Sequence, residues 1–334
     1  MEIRVPYDVM DDYSRWRDPN ACVEVLHAGV NYLHEILVAK HARCPLLKKV
    51  LALGDLKLKM ERESKGDPAS ANPADVKVFF EQLNLLGTLG YSLWHLRNYS
   101  DSKGFRYELK ELSGIGAEGN SAGTDLRIRG QGFVLFSAAC VARDGFGIEF
   151  IARKEGGGKT PDYFALRDTH RFACEATTKS PTVLKSSSVT EFWTQVNAAV
   201  LEKREKFRDK AYENGVILID CTPVFGLIDF SEIPVGGTIV HMPAKEGELP
   251  GPGEAPLLRY DDSEFSRGLQ ELQRLIADTG VRNVILWNRA FSVGDETIKR
   301  ELRYMVLGAL KGRRFWAYFP RAVVFPGPEV QVKW

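Results

Sequence analysis

Between Gly147 and Ser180 the chain reads GIEFIARKEGGGKTPDYFALRDTHRFACEATTKS, and no other stretch restricts the fold as tightly. β-Branched and aromatic residues bounded by Gly, Pro and Asp predict three short strands over 147–153, 162–167 and 171–178, joined by a glycine hairpin and a polar turn. In the first, Ile148, Phe150 and Ala152 alternate with Glu149, Ile151 and Arg153. The acids carry the chemical information. Asp162 opens the second strand directly after Pro161, and Glu175 stands inside the third among Ala173, Cys174 and Ala176. A carboxylate within an apolar strand costs free energy unless it is paired or binds a cation. Alternation puts Glu175, Thr177 and Lys179 on one side of their strand, where Asp162 at the mouth of its neighbour can meet Glu175. Two converging carboxylates offer the hard oxygen ligands that suit Mg²⁺ or Mn²⁺.

Pro161-Asp162, then Glu175 on the following strand, then Thr177 and Lys179, resembles the PD-(D/E)XK nuclease superfamily. Its motif is a Pro-Asp, a gap, and then an acid, any residue and a lysine. The order of helix, three strands, helix and fourth strand fits as well, and the resemblance covers about residues 123–222, under a third of the chain. It implies an α/β fold: a restriction-endonuclease-like mixed sheet flanked by helices. It also implies a metal-dependent nuclease that hydrolyses phosphodiester bonds, of DNA rather than RNA. Asp162 and Glu175 would be the metal ligands, Glu149 an additional upstream acid, and Mg²⁺ or Mn²⁺ the cofactor. The departure is Thr177, which stands where the family has its lysine. Lys179 is the first replacement, with Lys159 on the glycine hairpin and Lys185 on the following loop as alternatives. The other implied reading is a nuclease fold that no longer cuts and serves in binding or assembly. By analogy with the superfamily, a third is a phage-defence or mobile-element effector held off until a partner acts on it.

Weighed against the metal site is an ordinary structural reading. In it, Asp162 caps a turn, Glu149 is solvated on an edge strand, and Glu175 pairs with Arg171 or Lys179. Gly158-Lys159-Thr160 is not a phosphate loop: GxxxxGK[ST] requires a glycine at Arg153 and a helix afterwards, whereas Pro161-Asp162 and a strand follow.

Whole-chain charge narrows the options further. A net charge of +1 over 334 residues gives no global field that attracts nucleic acid, so any contact with it must come from a local patch. Lys203, Lys206 and Lys210 share one face of the predicted helix 189–213 and are suited to phosphates, but Glu202, Glu205, Asp209 and Glu213 interleave with them, as on a solvated helix. Gln195 on the same helix is a weaker site candidate. Trp316, Tyr318, Phe319 and Trp334, with Arg313, Arg314 and Arg321, have the chemistry to stack on bases. Five scattered cysteines without a CxxC pair disfavour zinc fingers and a disulfide framework. The charged N-terminus and the lack of a ~20-residue apolar run lead us to expect a cytoplasmic protein with no membrane segment.

The remaining chain divides at the glycine- and serine-rich residues 113–124, giving an N-terminal helical domain over 1–115 and a nuclease-like domain with an extended C-terminal α/β part over 116–334. Apolar spacing predicts helices over 21–43, from Pro45 until the charged run after Leu53, and over 75–99. In the last, Gly87 and Gly90 permit close packing at a cost in propensity. His27, His34 and His41 recur every seven residues, roughly 10 Å apart on a helix, too far to share one ion, and read as a polar or interface stripe. The bundle suits a sensor, dimerisation or substrate-guiding module, a protein partner, or plain scaffolding. Downstream, a helix over 132–142 precedes the strands, and the apolar run VILID (216–220) reads as a buried strand reached by a right-handed crossover. Further on come a strand at 238–241, a Pro/Gly loop at 244–256, a helix at 263–278 and a strand at 283–287. A helix over 296–311 and strands near 315–319 and 322–325 complete the reading.

Overall fold

The computed structural model describes residues 6–12, 15, 19–41, 43–64, 72–115, 121–143, 145–151, 160–178, 189–207, 212, 214–220, 271–272, 274–293 and 298–309. They form a mixed α/β protein of two compact units, one built mainly on residues 1–140 and the other mainly on 141–290. Among the described residues no helix is long and apolar enough to cross a membrane. The sequence features expected at 238–241, 244–256, 315–319 and 322–325, and the C-terminal aromatics, lie outside the described residues.

The first unit is helical. α1 (Pro19–His41), α2 (Pro45–Glu63), α3 (Pro73–His95) and α4 (Lys103–Gly114) bury Leu26, Leu33, Leu37, Leu46, Leu53, Phe79, Phe80, Leu83 and Leu112. Pro occupies the first turn of α2 and α3, where its missing N–H costs no helical bond. Cys44 Sγ, Asn72 Oδ1 and Ser102 Oγ accept backbone N–H groups that the first turns of α2, α3 and α4 leave orphaned. α2 continues through the charged run where the sequence suggested fading. Met60 there is buried, and Lys57–Glu61 and Lys59–Glu63 form spaced ion pairs. α1 and α3 cross at glycines, as Gly87 and Gly90 suggested. A Cβ on Gly90 would collide with the Gly29 backbone, one on Gly29 with the Gly87 carbonyl, and one on Gly87 would come 2.6 Å from the Leu26 carbonyl oxygen. His27, expected on a polar or interface stripe, faces α3. Its ring packs beside Phe79, and burial together with the Lys57 charge pushes its pKa down to about 4. Before α1, Tyr7–Met10 forms a 3₁₀ turn held to the end of α3: Trp94 Nε1 donates to Asp11, and His95 Nε2 hydrogen-bonds the Met10 carbonyl.

α4 had no counterpart in the periodicity reading, although its buried Phe105, Leu109 and Leu112 follow helical spacing. α5 (Ser121–Arg143) starts well before Gly132 and runs through Gly130 and Gly132 without a break. Gln131 of α5 donates to the buried Glu108 of α4. At the end of α5, Gly145 at φ +89° turns the chain into the sheet, with Gly145 and Phe146 N–H returning to the Ala142 and Val141 carbonyls.

The sheet runs β1 (Gly147–Phe150), β2 (Tyr163–Arg167), β3 (His170–Thr178), β4 (Gly215–Asp220), β5 (Val281–Val293) and β6 (Ile298–Ala309), in sequence order. β1–β2 and β2–β3 are antiparallel, whereas β3–β4 and β4–β5 are parallel. The β2–β3 hairpin turns at Asp168, whose φ of +52° an aspartate tolerates better than most residues. β4 is buried at every position, as its apolar run implied, and α6 (Val189–Arg204) makes the crossover from β3. β6 corrects the helix expected over 296–311. Apolar residues run through this segment in a spacing that serves helix or strand, and the pairing with β5 decides for the strand. The helix expected to reach Glu213 is also shorter, since Glu205–Phe207 tightens into a 3₁₀ turn.

One face of the sheet collects Phe164, Ala173, Ile217 and Ile219 beneath Val196, Ala199 and Val200 of α6 and beneath Leu272 and Ile276. Arg204 reaches from α6 to the Leu275 carbonyl at 2.5 Å, fixing the helix over that layer.

Candidate functional site

The acids of β2 and β3 meet on this apolar face. Tyr163 pairs with Cys174 at the start of β2, and Asp162, the residue before it, lies close enough to Glu175 for the two charges to act on each other. Pro161 has no N–H to extend the ladder, and the Asp162 side chain takes over: its Oδ2 accepts the Ala176 N–H at 2.8 Å. The Asp162 backbone N–H donates to the Cys174 carbonyl at 2.9 Å. Both residues are enclosed, Asp162 at 3% and Glu175 at 1% exposure.

Glu175 is gripped from above. Lys206 Nζ donates to both carboxylate oxygens at 2.7 Å and to the Thr160 carbonyl at 3.2 Å. Lys203 Nζ lies 3.5 Å from Oε1 and also pairs with Glu202 at 3.0 Å. Lys203 stands in the last turn of α6 and Lys206 in the 3₁₀ turn that follows, and residues three apart on such a stretch lie on the same side. Burial and the neighbouring Asp162 charge nevertheless outweigh the lysines and push the Glu175 pKa up to about 7. Burial works against the Lys203 charge, but the Glu175 and Glu202 carboxylates override it and raise its pKa.

Of the sequence-predicted residues, the structure brings Asp162 and Glu175 together, with Thr177 half-buried on the same side of β3 as Glu175. Glu149 shares that face but stands a level away, opposite Phe164, and is exposed. Its Oε2 accepts from Arg171 at 3.0 Å, and Arg171 belongs to the level still farther from Glu175. Arg171 therefore pairs with Glu149 rather than Glu175, and its guanidinium lies over the Phe164 ring. Among the described residues no three His, Cys, Asp or Glu side chains gather closely enough to hold a metal ion between them. Lys159, Lys179 and Lys185 lie outside the described residues, as does Lys210; Gln195 is half-buried on α6. Burial pushes the Cys174 thiol pKa upward, so it is an inert core group and no nucleophile.

Lys203 and Lys206 are the partners of Glu175 that the sequence had assigned to a phosphate-facing or solvated surface. A signal was present. Val196, Ala199, Val200, Lys203 and Phe207 form one helical stripe, so a lysine on it faces the sheet. Interleaved acids obscured that stripe by suggesting a solvated helix.

Scans against protein-family models, curated proteins and solved structures each returned no match to this chain.

Proposed function

We propose that the chain is a divalent-metal-dependent phosphodiesterase of the PD-(D/E)XK type, acting on DNA rather than RNA. The observation that carries this reading is the oxygen cradle around Lys206 Nζ. A cation already sits against both oxygens of a buried Glu175 and a backbone carbonyl, beside Asp162. Hard oxygens converging on a positive centre are the donor set that Mg²⁺ or Mn²⁺ takes. Asp162 and Glu175 would hold the ion. When bound, it lowers the pKa of a ligated water and offsets charge on the phosphoryl oxygens.

The chain's own part follows from its geometry. Asp162 is oriented by the Ala176 N–H that its Oδ2 accepts, which helps keep its carboxylate near Glu175. Lys203 and Lys206 bring positive charge from the end of α6 to the place where Thr177 supplies none, and there they can offset charge developing on a phosphate. Buried apolar side chains of the sheet and α6, with Ala173 on the same strand as Glu175, give the carboxylates a low-dielectric setting. The helical unit offers a surface for a protein partner or a second copy.

Plasmid DNA incubated with Mg²⁺, and with EDTA as control, tests the reading. Glu175→Gln and Asp162→Asn are isosteric and should each lower cleavage by at least about a hundredfold while circular dichroism stays unchanged. Cleavage that survives both substitutions rules out this site.

A second reading is favoured by one observation. Glu175 is already neutralised by two ammonium groups, which suits a nuclease-like fold that binds without cutting. It predicts no heat on titrating Mn²⁺ into the protein, with or without DNA.

A further inference from the structure

Lys206 is bonded as a small cation would be. Its Nζ lies 2.7 Å from each Glu175 oxygen and 3.2 Å from the Thr160 carbonyl oxygen, and Lys203 Nζ approaches within 3.5 Å of Oε1. The carboxylate is 2% exposed and the two lysine side chains 20% and 24%, so they form the side of the cluster nearest solvent. The two buried carboxylates are matched by two ammonium groups, and the exposed Glu202 also pairs with Lys203 at 3.0 Å. A divalent cation added to this cluster unchanged would leave excess positive charge in a desolvated place, which is strongly unfavourable. The imbalance disappears when the ammonium groups turn outward and meet a phosphate.

We propose that Lys206 is a placeholder: its ammonium holds the Glu175–Thr160 cradle in the metal-free protein and leaves it for a backbone phosphate when a divalent cation is taken up, so that metal and nucleic acid bind cooperatively. Stems of four methylenes let both lysines make that exchange without movement of α6. This rests on Asp162 and Glu175 being cation ligands, and it deepens that reading by stating when they become available.

The test is metal binding, not cleavage. Mn²⁺ is titrated calorimetrically into the wild-type protein, Lys206→Met and Lys206→Met/Glu175→Gln, each without nucleic acid and with a phosphorothioate DNA oligonucleotide. We expect Lys206→Met alone to bind Mn²⁺ at least tenfold more tightly than wild type, and Glu175→Gln to remove that gain. The oligonucleotide should tighten Mn²⁺ binding to wild type but add little to Lys206→Met. Equal or weaker Mn²⁺ affinity in Lys206→Met that the added Glu175→Gln lowers further overturns the placeholder and leaves the cation site standing. No Mn²⁺ binding in any protein, with or without oligonucleotide, overturns both.

Wild type gives a second readout that needs no variant. Amine acylation followed by mass spectrometry should find Lys206 protected in the metal-free protein and several-fold more reactive with Mn²⁺. Oligonucleotide should protect it again, while the exposed Lys103 stays constant. A Lys206 reactivity that ignores Mn²⁺ at saturation also overturns the placeholder.

Discussion

Glu175 holds a charge where burial disfavours one, and this has a measurable sign. Its folded pKa lies near 7, above the ordinary carboxylate value of 4.5, so the folded state binds more protons than the unfolded chain between those limits. The contribution is therefore present below about pH 4.5 and is lost as pH rises through 7. At about 1.4 kcal/mol per pKa unit, a few kcal/mol are at stake. Urea unfolding between pH 4.5 and 7.5 should show that slope in wild type and not in Glu175→Gln; parallel curves would mean the carboxylate ionises without penalty. Asp162 separates differently. Asn keeps an oxygen for the Ala176 N–H, whereas Asp162→Ala leaves that buried donor unsatisfied and should cost about 1–3 kcal/mol in the same assay.

At the scale of elements, the helix crossing gives the sharpest expectation. α1 and α3 touch backbone to backbone at Gly29, Gly87 and Gly90, and no rotamer change relieves a methyl group placed against a carbonyl. Gly90→Ala should destabilise the helical unit by about 3 kcal/mol, although alanine is the better helix former. Gly54→Ala on exposed α2, with nothing within 4 Å of the added carbon, should instead raise stability by up to ~1 kcal/mol. Thermal melts of the pair decide it, and two shifts of the same sign would contradict the crossing. Much of this level was legible. Gly87 and Gly90 announced close packing, Asp162 and Glu175 announced a shared face, and VILID announced a central strand. What stayed hidden depended on partners distant in sequence. β6 has an apolar pattern that serves helix or strand until β5 lies beside it. Lys206 looked solvated because its buried acid lies 31 residues earlier. Glu149 looked like a third ligand because alternation gives a face but not a level, and Arg171 holds it one level away.

The whole molecule joins units with opposite responses to acid. In the helical unit, His27 is held neutral by burial and by Lys57, its pKa lowered from 6.5 to about 4. The unfolded chain binds more protons in that window, so this unit loses stability as pH falls from 6.5 towards 4. In the sheet unit, the Glu175 contribution changes the other way and grows as pH falls from 7 towards 4.5. Acid should therefore loosen α1 and α3 while tightening β2 and β3. Hydrogen exchange corrected for intrinsic rates can report both in one sample. Between pH 7 and 5, protection should fall in peptides from 19–41 and 73–95 and rise in peptides from 163–178. His27→Leu should abolish the first change and Glu175→Gln the second, each leaving the other intact. Loss of protection in all these peptides together would show that one cooperative transition couples the units and overrides their local charges.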